Sequence, residues 1–255
     1  MEPVSPAIFT IGRMNPPTSG HLELIRAMMI IALEQGQDKV YVILSHTKDT
    51  TKNPLGCDRK KAILVTEGMI ESIKRVSPLL SKIEVSIRCM DEPVPEECGK
   101  HVILKQVCKI HIDAAYPTHM ILVVGADRAS DYTWIGKYLN KRVPPILLDT
   151  ISLARPEGAV SATYMRNLVL EGNSEKFIEA TTASGLSKEN ASILYAELKT
   201  ELRRPGEGKG RKSEHSGGPP KKRRKEKGGK KKRTKRRKRT NKKRKNRTYK
   251  KQKRQ

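Results

Sequence analysis

Short apolar runs alternate with longer stretches of helical period along the first 200 residues of the chain. Ala7–Ile11, Lys39–Ser45, Lys82–Ile87, His119–Gly125 and Pro145–Leu148 are rich in β-branched residues and bounded by turn formers. This is the pattern of strands buried on both faces. Between them, Leu22, Ile25, Met29, Ala32 and Leu33 fall on one face of a helix, and Ile63, Met69, Ile70 and Ile73 form a second apolar stripe. Val102, Leu104, Val107, Cys108 and Ile112 form a third. Three further helices are predicted over Ala162–Glu171, Glu175–Ala180 and Lys188–Leu202, and Pro205-Gly206 ends the predicted ordered body. Such alternation implies right-handed βαβ crossovers. The predicted fold class is therefore α/β: a Rossmann-like, doubly wound, parallel five-stranded sheet with C-terminal helices. Ligands of such sheets sit outside the carboxyl ends of the strands.

Charge divides the chain in two. Residues 205–255 hold 27 of the 53 Lys and Arg but 3 of the 27 Asp and Glu, leaving 26 basic and 24 acidic residues before them. The net charge of +26 thus resides almost wholly in the tail. Residues 1–204 are near neutral and long enough to bury a substantial core. Residues 205–255 have little to bury against the entropy of ordering, so they are predicted to be disordered. Their like-charge blocks suit a polyphosphate backbone. With Tyr249 as the one aromatic of the tail, base stacking is not expected. A nucleic acid bound through residues 209–255 without sequence choice is the partner this composition favours. A nuclear or nucleolar address, an anionic membrane surface and a plain solubilising extension are the alternatives.

Cys57, Cys89, Cys98 and Cys108 are far apart, with no C-x-x-C pair and no His at zinc spacing, which argues against a disulfide framework and a structural metal. A reducing compartment, cytoplasmic or nuclear, is the corresponding expectation. The start of the chain carries no basic n-region or long apolar h-region, so secretion is not expected. Ala27–Leu33, the longest apolar run, is too short to span a bilayer.

Candidate chemistry begins where the first strand ends, in Gly12-Arg13-Met14-Asn15-Pro16-Pro17-Thr18-Ser19-Gly20-His21. A helix starting near Gly20 presents unpaired N–H groups and the positive end of its dipole, where an anion is favoured beside Thr18 and His21. Gly20 would let a phosphate approach the backbone. The same residues also read as an ordinary helix start, with Thr18 or Ser19 as N-cap and His21 on the surface. A second helix starts at Val160-Ser161-Ala162-Thr163-Tyr164-Met165-Arg166. Ser161 is its expected N-cap, and Thr163 and Arg166 share a face. A hydroxyl, free N–H groups and a guanidinium fork together make a receptor for β- and γ-phosphates, although a capped helix with a surface Arg has the same sequence.

The pair of motifs, G-x-x-N-P-P-T-x-G-H early and S-A-T-x-x-R late, resembles the nucleotidylyltransferase superfamily, with its T/H-x-G-H and I-S-x-T-x-x-R signatures. The similarity extends to Lys52-Asn53-Pro54-Leu55 and Val123–Arg128, covers roughly residues 5–200, and is strongest toward phage and large-virus members. The resemblance implies direct transfer, in which an acceptor phosphate oxygen attacks the α-phosphorus of a nucleoside triphosphate and expels pyrophosphate. Catalysis would then rest on positioning and charge stabilisation. His21 would donate to the α/β-phosphate oxygens, and Thr18 stands where many relatives have a first histidine. Gly12, Arg13, Asn15 and Gly20 would line the nucleotide, and Ser161, Thr163 and Arg166 would hold its β/γ end.

Lys48 and Lys52, after the second strand, would cover the phosphates, or form a solvated pair. Asp127, after the fourth, would bind ribose or acceptor, or cap the next helix. Trp134 lies near where mononucleotide adenylyltransferases stack an aromatic on pyridine, or it belongs to the core. No side-chain cluster has metal spacing, so Mg²⁺ would arrive with the triphosphate. The expected substrates are ATP or, less favoured, CTP, with a small phosphomonoester such as nicotinamide mononucleotide. The competing expectation is a nucleic-acid-binding or virion-associated protein built on an inert scaffold of this kind.

Overall fold

All five strands pair in parallel, in the order β3-β2-β1-β4-β5, where β1 is Ala7–Gly12, β2 Lys39–Leu44, β3 Glu84–Cys89, β4 His119–Gly125 and β5 Leu147–Leu153. The computed structural model describes residues 5–142 and 144–202. The basic tail and its boundary with the body lie outside the described residues. The helices are α1 (Ser19–Glu34), α2 (Cys57–Leu64), α3 (Met69–Val76), α4 (Val102–Asp113), α5 (Thr133–Leu139), α6 (Ala162–Glu171), α7 (Ser174–Thr182) and α8 (Lys188–Glu201). The predicted doubly wound sheet is present. Strand order reverses between β1 and β4, which opens the crevice where such sheets hold ligands.

Alternate residues of β1 serve the two faces. Ile8 packs with Val40, Val42, α1, α3, α6 and α8, while Phe9 and Ile11 pack with Tyr41, Leu122, α4 and α5. Helix α1 is held by Leu22, Ile25, Met28, Met29 and Ala32. Ile25, Met28 and Met29 are fully buried, each contributing about 1.5–3 kcal/mol of apolar burial. Leu33, expected in that stripe, is 41% exposed instead. Helix α6 spans the predicted residues and stops at Gly172, whose φ of +78° suits a residue without a Cβ.

The third strand, predicted over Lys82–Ile87, runs from Glu84 to Cys89, and three further expectations change. The stripe from Ile63 to Ile73 is two helices, because Gly68 at φ +94° turns the chain between them. The fifth strand begins two residues later than predicted and continues to Leu153. It is an edge strand with no residue fully buried, so Asp149, Thr150 and Ser152 fit it, and a search for an apolar run ends too soon. The third correction concerns the cysteines, which all pair: Cys57 with Cys89 and Cys98 with Cys108, at Cα separations of 5.9 and 5.4 Å. Cys57 opens α2 and Cys89 closes β3, neighbours in space that a 32-residue separation conceals. The cysteine argument for a reducing compartment falls with this pairing. Among the described residues, no helix is long and apolar enough to cross a membrane.

Denatured but unreduced protein should accordingly show no reactive thiol to a labelling reagent. Reduction should lower stability in urea, by about 3–4 kcal/mol for the Cys57–Cys89 loop on chain-entropy grounds. Four labelled thiols before reduction would contradict the pairing.

Candidate active site

The turn after β1 is fastened from three directions. Asn15, 1% exposed, donates from Nδ2 to the Leu55 carbonyl (2.8 Å) and accepts from the Leu55 N–H at Oδ1 (3.1 Å). Arg166 Nη1 donates to the Asn15 carbonyl (2.6 Å) from α6, and its Nη2 donates to Thr163 Oγ1 (3.1 Å). Lys60 Nζ on α2 donates to the Arg13 carbonyl (3.1 Å). Between these anchors Met14 lies in the left-handed region at φ +42°, a conformation that costs a non-glycine residue about 1–2 kcal/mol. Such a residue persists where its surroundings determine it.

The two signature turns also touch directly. The Val160 N–H donates to Ser19 Oγ (3.0 Å). A Cβ on Gly20 would stand 3.2 Å from the Val160 carbonyl, so this glycine admits the neighbouring loop. Ser161 caps α6 as expected, accepting from the Tyr164 N–H (3.0 Å).

These contacts enclose a cavity of about 670 Å³ at the carboxyl ends of β1 and β4. Its lining includes Gly12, Arg13, Asn15, Thr18, Gly20 and His21 from the first turn, and Ser161, Thr163 and Arg166 from α6. Lys52 and Asp127 reach it as well. Lys48 and Trp134 are absent from the lining. Lys48 pairs with Glu201 at 2.9 Å. Trp134 packs against His101, ring centroids 4.9 Å apart, and donates from Nε1 to the Asp131 carbonyl (3.0 Å). Asp127 is not a helix cap. It is exposed, second in the 3₁₀ turn Ala126–Tyr132, which starts from Gly125.

Thr18 differs from expectation in its use. It is 3% exposed, caps no backbone N–H, and its Oγ1 lies 2.9 Å from His21 Nδ1. When Thr18 donates in that bond, the neutral imidazole carries its proton on Nε2, a donor for the cavity. Burial first, then the Arg155 and Arg166 guanidiniums, lowers the pKa of His21 to about 4. The ring is therefore neutral at pH 7.

Reading motifs alone misses three participants. Arg155, at the end of β5, lines the cavity and acts on His21, but it sits in an exposed loop with no motif of its own. Asp49 shapes the loop that carries Lys52, its Oδ1 accepting from the N–H groups of Thr51 (2.8 Å), Lys52 (2.6 Å) and Asn53 (3.2 Å). These bonds hold its carboxyl well below the usual range. An Asp followed by Thr-Thr-Lys-Asn is a turn signal that could have been found. Lys60 is the third. Among the described residues, Arg13, Lys52, Arg155 and Arg166 line the cavity with no carboxylate in ion-pair distance. A neutral imidazole donor and four cations without ion-pair partners thus line one cavity, together with the carboxylates of Glu23 and Asp127, an arrangement whose chemistry suits an anion.

No family model matches the sequence, and a search of curated proteins finds no similar one. Among solved structures the chain is similar to a macrolide-efflux protein from Streptococcus pneumoniae, at 16% identity and a TM-score of 0.36. The match covers 71% of this chain and 56% of that one, so the chain spans little more than half of that protein's length. At that level the likeness carries no argument.

Titration of the histidines by NMR should find His21 with a midpoint near 4, moving upward when a polyanion enters and offsets Arg155 and Arg166. Its folded value lies below the ordinary 6.5, so the stability it contributes is complete above pH 6.5 and is lost as pH falls through 4. A midpoint at 6.5 in the free protein would contradict this environment.

Proposed function

We propose that the chain is a nucleotidylyltransferase. It transfers a nucleoside monophosphate, AMP in preference to CMP, to a small phosphomonoester of the nicotinamide mononucleotide kind and releases pyrophosphate. The observation that carries the reading is the convergence of two turns, 151 residues apart, on one cation-lined cavity through the Arg166–Asn15 bond.

The substrate is the Mg²⁺–triphosphate, its metal held by phosphate and water. Its β- and γ-phosphates lie against the first N–H groups of α6, Thr163 and Arg166, where the helix dipole and the guanidinium both favour charge. His21 donates from Nε2 to the α-phosphate, and Lys52 and Arg13 cover the chain of phosphates. An acceptor phosphate oxygen attacks the α-phosphorus, a new P–O bond forms, and the bond to the bridging oxygen breaks as pyrophosphate leaves. Charge grows on the oxygens of the pentacoordinate phosphorus, where donors already in place stabilise it without rearrangement. A neutral His21 suits this role because its Nε2–H donates a hydrogen bond while the ring has no imidazolium proton to lose at pH 7. Asp127, at the same cavity, is the candidate for ribose or acceptor hydroxyls.

Replacing His21 with Ala should lower turnover about 10²-fold or more, with the melting temperature little changed. The measurement is pyrophosphate release from ATP and CTP against a panel of phosphomonoesters. An unchanged rate, or release with none of them, would refute the assignment.

The composition of residues 205–255 supports a second activity, nucleic-acid binding through the phosphate backbone. With six or more phosphates contacted, affinity should fall on the order of 10³-fold between 50 and 200 mM salt. A flat salt response in a filter-binding assay would exclude it.

A further inference from the structure

Lys60 is the one charged side chain among the described residues that is buried, with 0% exposure. No carboxylate lies in ion-pair distance of it among the described residues. Its ammonium has three N–H groups, and the structure offers three acceptors: the Arg13 carbonyl (3.1 Å), Ser45 Oγ (3.2 Å) and the Ser45 carbonyl. Gly12 and Leu44, which precede Arg13 and Ser45, are register partners on β1 and β2. Lys60 therefore ties together the exits of two adjacent strands, one of which carries Arg13 of the cavity lining. One of its acceptors is the carbonyl immediately before Met14, the left-handed residue of the turn.

We propose that Lys60 is a positioning residue of the polyphosphate site: from beneath, it fixes the Arg13–Asn15 backbone and supplies a buried positive charge that bound triphosphate stabilises. This rests on the nucleotidylyl-transfer reading. A neutral amine has two N–H groups, so deprotonation removes the charge and leaves one of the three acceptors without its donor. Burial brings the pKa of Lys60 down to about 8, against the pull of Asp91. The Arg13 carbonyl faces it from the first turn, and Ser45 from the β2 exit. Asp58, Arg59 and Lys61 share its helix, with Arg59 engaged by Glu67 and Glu197 and Lys61 by Glu92. Carboxylates and guanidiniums do not change charge between pH 7.5 and 9.5.

Calorimetric binding of MgATP and MgCTP to the full chain over that range, in wild type, Lys60→Met and Ser45→Ala, tests the proposal. Wild type should lose on the order of tenfold in affinity as pH rises through the step. Lys60→Met should bind at least tenfold more weakly at pH 7 and show no step. Ser45→Ala, which removes one acceptor of the charged form, should move the step to lower pH. A purely structural lysine would leave the step in place, so an unaltered step in Lys60→Met overturns the proposal while leaving the enzyme assignment standing. If Lys60→Met does not fold, an unmoved step in Ser45→Ala overturns it. Failure of wild type to bind either nucleotide removes both readings.

Discussion

The paired hydrogen bonds between the Asn15 side chain and the Leu55 backbone are the constraint on which the candidate site depends. An amide that both donates to and accepts from one residue fixes position and orientation together, as a strand neighbour does. Here it joins the turn after β1 to the segment entering α2, so the first wall of the cavity and the Lys52 loop move as one piece. The same turn holds Met14 in a conformation it would leave if free, which makes Arg166 and Lys60 part of the architecture as much as of the chemistry. Losing the Asn15 amide would leave a buried N–H and a buried carbonyl unpaired, each costing about 1–3 kcal/mol.

The electrostatics follow from that geometry. Four cationic side chains without an ion-pair partner among the described residues share one cavity with Glu23 and Asp127, and like charges such as Arg13 and Arg166 oppose one another. The protein carries this repulsion in its free form, and an anion with several charges relieves it. The histidine among them is driven to its neutral state first by burial and then by two of these charges, Arg155 and Arg166. Donor capacity and charge are thus assigned to different residues: the imidazole orients, and the guanidiniums attract.

Much of this was legible in the sequence because helix starts and stops are written locally. Ser161 and Gly172 bracket α6, and apolar spacing placed α1 and the central strands. The fifth strand was less legible because it lies at a sheet edge, where side chains need not be apolar on either face. Disulfide pairing was hidden for a different reason, since the approach of a helix start to a strand end leaves no trace in spacing. Lys60 stands in Asp-Arg-Lys-Lys, which reads as a solvated helix face, and it is buried because a turn of α2 points it into the angle between two strand exits. Lys48 and Trp134 show the converse. Both lie near the right strands in sequence, but Lys48 is engaged by an ion pair with α8 and Trp134 by a tilted ring contact with His101, and neither is in the cavity lining.

The bond from Val160 to Ser19 spans 141 residues, and that from Arg166 to Asn15 spans 151. During synthesis at about 5–20 residues per second, the strands and first helices can therefore form well before the ligand cavity exists. A nascent chain shorter than about 170 residues holds the turn after β1 without its counterpart on α6, and contacts of such long separation form slowly. Formation of the cavity is thus coupled to near-completion of the folded body, so that truncated products have most of the sheet but lack the wall that α6 supplies.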